Sequence, residues 1–120
     1  MTNKEFFKTL DKNIQMDIIQ TLRSYNKVHI EFYYGEHHAT TNYTLMAKYP
    51  SDYKVLNEFE AKEFDFEGHN YELEWYDYWN EKERKGEKNE IINGRGKWQL
   101  EFENLWKPII ERAYNKYIEG

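Results

Sequence analysis

Cysteine is missing from this 120-residue chain, which excludes disulfides and thiolate metal sites and leaves nothing that requires an oxidising compartment. Long apolar runs are missing too. No segment approaches the ~20 apolar residues of a membrane span, and the opening MTNKEFFKTLDKN lacks the apolar centre of a signal peptide. The expectation is a soluble, cytoplasmic protein with no membrane partner. Serine occurs only as Ser24 and Ser51, and neither lies in a Gly-x-Ser-x-Gly elbow, so nucleophilic serine catalysis has no foothold. A phosphate-cradling loop is lacking as well, because Gly94-Arg95-Gly96-Lys97 leads into a predicted strand rather than a helix. No repeat, low-complexity tract or linker divides the chain, and its length suits one domain with one modest core.

Aliphatics are also sparse, with valine present only twice, whereas Trp 4, Tyr 11 and Phe 7 make the chain 18% aromatic. A core must therefore be assembled from rings and isoleucines, each ring removing about 150–250 Å² from water. Charged residues reach 32%, but aromatics at this frequency argue against disorder, which depletes them. The richness in Lys, Asn, Ile, Tyr, Phe and Glu is what an AT-rich genome encodes, and hints at a low-GC bacterium or its phage.

Thr2 and Glu5 have capping-box spacing, and Phe6, Leu10, Ile14, Ile18, Leu22 and Tyr25 follow at helical intervals, predicting a helix over 3–25 with a bend near 11–13. Val28, Ile30, Phe32 and Tyr34 alternate with polar residues and read as a strand. Gly35-Glu36-His37 reads as its turn, and residues 38–49 as the return strand. Beyond Pro50, Val55, Leu56 and Phe59 read as a short helix, with a strand nearly as good a fit.

The segment 63–79, EFDFEGHNYELEWYDYW, reads as a β-hairpin. Phe64, Phe66, Tyr71, Leu73 and Trp75 would form its inner face, and Asp65, Glu67, Glu72 and Glu74 its outer one, with Glu63 at the strand's start. After Trp75, a short helix from Asp77 to Arg84, ended by Gly86, competes with further strand, and 80–89 reads as a polar, projecting connection. Ile91-Ile92-Asn93-Gly94 offers an Asn-Gly hairpin turn. Trp98, Leu100 and Phe102 predict a last strand, after which Asn104 would cap a helix with Pro108 in its first turn. The expected fold is a single α+β domain over 1–120, an antiparallel sheet of about five strands with the two terminal helices packed on one face.

Charge is distributed unevenly. The chain carries −5 overall, but residues 58–81 alone carry −8 and residues 82–97 carry +3. Like charges opposed across strands cost roughly 0.2–1 kcal/mol a pair unless solvent or a partner neutralises them. A divalent cation wants convergent oxygens rather than a flat row, so no metal or cofactor is expected there. His37, His38 and His69 fall in two predicted turns and read as exposed turn residues rather than as a zinc site.

Pro50-Ser51-Asp52 followed by Glu60-Ala61-Lys62 looks like the acid-then-ExK pattern of the PD-(D/E)xK nucleases, whose acids hold Mg²⁺ while a lysine assists the attacking water. The spacing here is short, Ser51 interrupts the Pro-Asp pair, and a −8 neighbourhood opposes a polyanionic substrate. EFDF, a turn, and then alternation ending in YDYW resembles a hairpin of the YezG-type immunity proteins, which also begin with a helix leading into a hairpin. That resemblance implies a non-enzymatic inhibitor of a nuclease toxin, although this chain lacks a long amphipathic helix between its two predicted hairpins.

The expected function is accordingly that of a small acidic protein-binding inhibitor, of phage counter-defence or toxin-immunity type. It would mask a basic, nucleic-acid-binding surface on a target such as a nucleic-acid enzyme or toxin. Its partner-binding residues would be Glu63, Asp65, Glu67, Glu72 and Glu74 for charge, with Tyr76 and Tyr78 as aromatic anchors. No catalytic residues are assigned. The alternative is a small-ligand protein or metal-dependent enzyme using a pocket between sheet and helices lined by Trp75, Trp98 and Trp106. Direct nucleic-acid binding through Lys82, Arg84, Lys85, Lys88, Arg95 and Lys97 is disfavoured, since only that short stretch offers a basic surface.

Overall fold

Thr2 opens the first helix as its sequence spacing implies: its Oγ1 accepts from the Glu5 N–H at 3.1 Å. A computed structural model describes residues 2–33, 36–39, 47–48 and 55–120 of the chain. The predicted 3–25 helix is two helices, α1 (Asn3–Lys8) and α2 (Lys12–Leu22). The break comes where Thr9 bonds back to the Phe6 carbonyl at 2.6 Å and Asp11 is extended, with φ −60° and ψ 147°. The buried Gln15 amide spans the break. Its Nε2 donates to the Phe7 carbonyl at 2.7 Å and its Oε1 accepts from the Tyr114 hydroxyl at 2.9 Å, so a polar group in the core is satisfied on both sides.

Strands β1 (Lys27–Tyr33), β2 (Glu36–Ala39), β3 (Ala47–Lys48) and β4 (Val55–Glu60) form one antiparallel sheet in the order β3-β2-β1-β4. Val28 stands opposite Phe59 and Ile30 opposite Asn57. The alternative strand reading of 55–60 is thus the observed one. The Gly35 turn, residues 40–46 of the predicted return strand, and Ser51 and Asp52 lie outside the described residues.

A 3₁₀ turn, Ala61–Glu63, leads out of β4, and from there the expected architecture fails. Residues 64–70 are loop and 71–84 are α3 (Tyr71–Arg84), so the predicted 63–79 hairpin does not exist. Alternation at Tyr71, Leu73 and Trp75 mimics a strand over five residues. The longer pattern Tyr71, Trp75, Tyr78, Lys82 is helical, and the ends decide. Asn70 Oδ1 caps the Leu73 N–H at 3.0 Å, Glu72 and Glu74 sit in the first turn, and Lys82 and Arg84 in the last, complementing the helix dipole at both ends. The predicted stop at Gly86 holds, with φ 70° at that glycine.

The Asn-Gly turn is where expected, joining β5 (Ile91–Ile92) to β6 (Arg95–Gly96), and both Asn93 and Gly94 have the positive φ that such a turn demands, 51° and 80°. The predicted strand 97–102 is instead the start of α4 (Lys97–Glu119), the longest helix described. Asn104 is not its cap, and Pro108 sits in its interior, where it removes one helical N–H. The cap comes from upstream: Asn89 Oδ1 accepts from the Trp98 N–H at 3.0 Å, and the Lys97 N–H donates to the Glu90 carbonyl at 2.7 Å. Gly96 eases that approach, because a Cβ there would meet the Asn89 amide at 3.0 Å and the amide would have to shift slightly.

The fold is therefore mainly helical, with four α-helices and two small antiparallel sheets among the described residues. This corrects the expected five-stranded sheet. The sheet ends at four strands because both segments meant to extend it, 63–79 and 97–102, are helical or loop. Phe6, Phe7, Ile18, Ile19, Leu22, Val28, Ile30 and Phe59 pack between α1, α2 and the sheet, and Trp106, Ile109, Ile110 and Ala113 close the core from α4. The molecule is elongated, 54 × 31 × 19 Å, with α3 laid along the N-terminal half of α4.

Candidate functional site

Among the described residues, helix α3 packs on α4 from one side. Tyr71, Trp75 and Tyr78 meet the Phe102 ring with centroids 5.2, 5.2 and 5.4 Å away, Tyr71 also meets Trp106 at 5.2 Å, and Trp79 meets Trp98 edge-on at 4.8 Å. Tyr78 donates to Glu101 at 2.5 Å, and Lys82 stands 3.4 Å from the same carboxylate. Burial, then the Glu101 hydrogen bond, push the Tyr78 phenol up, and the same bond holds Glu101 below the usual carboxylate range.

On the opposite side of α3, Leu73, Tyr76, Asp77, Asn80 and Arg84 are all exposed at i, i+3, i+4, i+7 and i+11. Leu73 is 64% and Tyr76 67% exposed. Leu73 was expected inside, and the helix turns it outward. A large aliphatic and an aromatic thus share one turn of an unpacked face, flanked by the exposed carboxylates of Glu72, Asp77, Glu81 and Glu83.

The expected acidic row is dispersed. Asp65 and Glu67 lie in the loop, Glu72 and Glu74 on α3, and Glu63 in the 3₁₀ turn, so they do not share a sheet face. Glu63 is committed to the fold: it accepts from the Glu60 N–H at 3.2 Å, from Asn3 Nδ2 at 3.2 Å and from the Tyr117 hydroxyl at 3.4 Å. Glu67 takes three bonds from Arg112 Nε and Nη2, 2.8–3.0 Å long, and Asp65 one from Lys116 at 2.9 Å. Each cation holds its partner's carboxyl below the usual range. Glu74 is 3.0 Å from His69 Nδ1 and accepts from the Asn70 N–H at 2.9 Å, closing the first turn of α3. Of the seven residues expected to bind a partner, Glu72 and Tyr76 stand outward on α3, while Tyr78 is half-buried against α4.

Five of the six cations of the basic stretch, all but Lys88, stand in ion pairs among the described residues. Lys82 pairs with Glu87 and Glu101, Arg84 and Lys85 with Glu81, Arg95 with Glu103, and Lys97 with Glu101. Gly94-Arg95-Gly96-Lys97 does lead into a helix, contrary to expectation, but the Lys97 and Trp98 N–H groups are already taken by Glu90 and Asn89. Lys62 and Glu60, two positions of the nuclease-like pattern, form an ion pair at 2.8 Å. Among the described residues no group of three or more His, Asp or Glu converges as a metal site, and no helix is long and apolar enough to cross a membrane. Trp98 and Trp106 are core residues and Trp75 packs on the Phe102 ring of α4.

Sequence reasoning missed a cleft of about 180 Å³ between the end of α2, the 66–72 segment and α4, lined by Arg23, Tyr71 and Trp106 among others. Trp106 is 1% exposed, and its indole N–H has no acceptor among the described residues. Such an orphan costs about 1–3 kcal/mol. No local pattern marks Arg23, a single arginine just past a helix end.

No protein-family model, curated protein or solved structure matches the chain. The likeness to YezG-type immunity proteins rested on a 63–79 hairpin, and that segment is loop and helix.

Proposed function

We propose that the chain is a small acidic protein-binding inhibitor, of the phage counter-defence or toxin-immunity kind, that lays the outer face of α3 on a basic, nucleic-acid-binding surface of a target protein. The carrying observation is the exposure of Leu73 and Tyr76, 64% and 67%, on a helix face that nothing in the chain covers among the described residues. Their surroundings set the chemistry of the partner. Residues 58–81 carry −8, and on α3 Glu72, Glu74, Asp77, Glu81 and Glu83 outweigh Lys82 and Arg84. A field of that sign favours encounter with a basic surface, while the exposed leucine and tyrosine are the groups whose burial would slow release. Asp65 and Glu67, already paired with Lys116 and Arg112, add to the field rather than to directional contacts. Tyr78 acts by fixing α3 to Glu101.

The test is affinity capture from cells of the native host, run in parallel with the wild-type chain and with Leu73→Ala/Tyr76→Ala. A basic protein retained by the first and lost by the second, with affinity that falls as salt rises, is the expected result. Equal retention by both chains, or binding indifferent to salt, overturns the proposal.

A further inference from the structure

We infer that the cleft between the end of α2 and α4 binds a small oxyanion, the carboxylate or phosphate group of a ligand, through Arg23 and Trp106. Among the described residues three buried side-chain nitrogens lack an acceptor: Arg23 Nε, Asn57 Nδ2 and Trp106 Nε1. Two of the three belong to Arg23 and Trp106, residues that both line this one cleft. Both are donors that can never accept, so the group that satisfies them must bring acceptors, and the oxygens of a carboxylate or phosphate supply them with a charge that suits Arg23. The Arg23 guanidinium is held but not consumed. Its carbon lies 4.5 Å from the Tyr71 ring centroid, and its nearest carboxylate oxygen, on Glu103, is 3.8 Å from Nη2, beyond hydrogen-bond reach. Glu103 is bonded instead to Arg95, at 2.5 Å. A guanidinium held over an aromatic ring with its Nε unpaired keeps that N–H, beside a neighbouring Nη, for a carboxylate or phosphate oxygen.

The rest of the lining agrees with a small polar occupant. Asn70 spends its carbonyl oxygen on the Leu73 N–H, so its amide nitrogen is the group left over, and Asn26 adds a second amide. Glu72 at the rim opposes an anion, which confines binding to the Arg23 side. At about 180 Å³ the cleft falls below the roughly 300–1,000 Å³ of drug-sized pockets and suits a single head group. Arg23 is also a wall of a wider groove of about 440 Å³, where Arg95 and Lys107 stand with Glu103 and Glu111, so the remainder of a ligand extending there meets both signs of charge. This site shares Glu72 at its rim with the surroundings of the outer face of α3 but none of Leu73, Tyr76 or Asp77, and it can fail without affecting the docking proposal.

The chain has four tryptophans, and Trp106→Phe identifies which of the four indole N–H signals in a ¹H–¹⁵N spectrum belongs to Trp106. Potassium phosphate and potassium acetate are titrated separately against potassium chloride at matched ionic strength. The expected result is a saturable shift of the Trp106 indole signal with phosphate, acetate or both, absent with chloride. It should weaken at least about tenfold in Arg23→Gln, the loss of a charge-assisted hydrogen bond. Saturation by phosphate alone assigns a phosphate-bearing ligand, and by acetate alone a carboxylate. If Arg23→Gln does not fold, Arg23→Lys, which keeps the charge but loses the fork, must weaken binding instead. No saturable shift with either anion, or one undiminished in whichever Arg23 variant folds, overturns the inference.

Discussion

Around the C-terminal half of α4, Phe7 is fully buried and meets the rings of Phe59, Phe64, Tyr114 and Tyr117. Around the N-terminal half, Trp75, Tyr78 and Trp79 meet α4 from one side, and α3 has no buried residue at all. One helix therefore carries two aromatic assemblies, one enclosed by α1 and the sheet, the other open to solvent behind it. Enclosure converts rings into stability, whereas a one-sided layer is only partly removed from water and leaves a helix face unspent. That unspent face is where Leu73 and Tyr76 stand.

The largest expected difference between the two regions comes from ring deletion. Phe7→Ala should cost about 3–5 kcal/mol in equilibrium denaturant unfolding, the range for a buried aromatic. Trp75→Ala should stay within the ordinary range of about 0.5–3 kcal/mol. Equal losses would erase the distinction. Pro108 marks the junction of the halves, on an exposed position inside α4 where the Asn104 carbonyl loses its helical donor. Pro108→Ala should raise stability by about 1–3 kcal/mol, and a loss would mean the proline is structurally required.

A smaller effect is read by pH, because half-buried tyrosines of both regions hold their protons above the usual range. Burial, reinforced by Glu63, pushes the Tyr117 phenol well above its usual range. The folded state then holds that proton more tightly than the unfolded state does. Its contribution is complete below the unfolded value of about 10 and is lost as pH rises from there toward the raised folded value. Stability should fall with pH above about 10, and Tyr117→Phe should flatten that decline. An unchanged slope in the variant would place the titration elsewhere.

The two assemblies also differ in how far they could be read from sequence. The enclosed one was largely legible: the first helix and its break, the β1 strand, and the helical apolar spacing from Trp106 onward all concern long or strongly punctuated patterns. The open one was not. Tyr71, Leu73, Trp75 and Trp98, Leu100, Phe102 each alternate over five residues, a length at which periods of 2 and 3.6 cannot be separated. The deciding signals lay at the ends, in Asn70 as cap and in Asn89, which caps α4 from outside it. The acidity of residues 58–81 was visible, but not its consequence. Arg112 and Lys116, far along the chain, neutralise Glu67 and Asp65, and only the fold brings them together.

The central claim is that α3 divides its labour, with an inner face for stability and an outer face for binding. The most direct test measures melting temperature and affinity for the captured basic partner on the same samples of wild type, Leu73→Ala/Tyr76→Ala and Trp75→Ala. The account predicts that the outer-face variant melts with the wild type and loses the partner, while Trp75→Ala melts earlier. An outer-face variant that binds at full affinity, or that melts as early as Trp75→Ala, would contradict it.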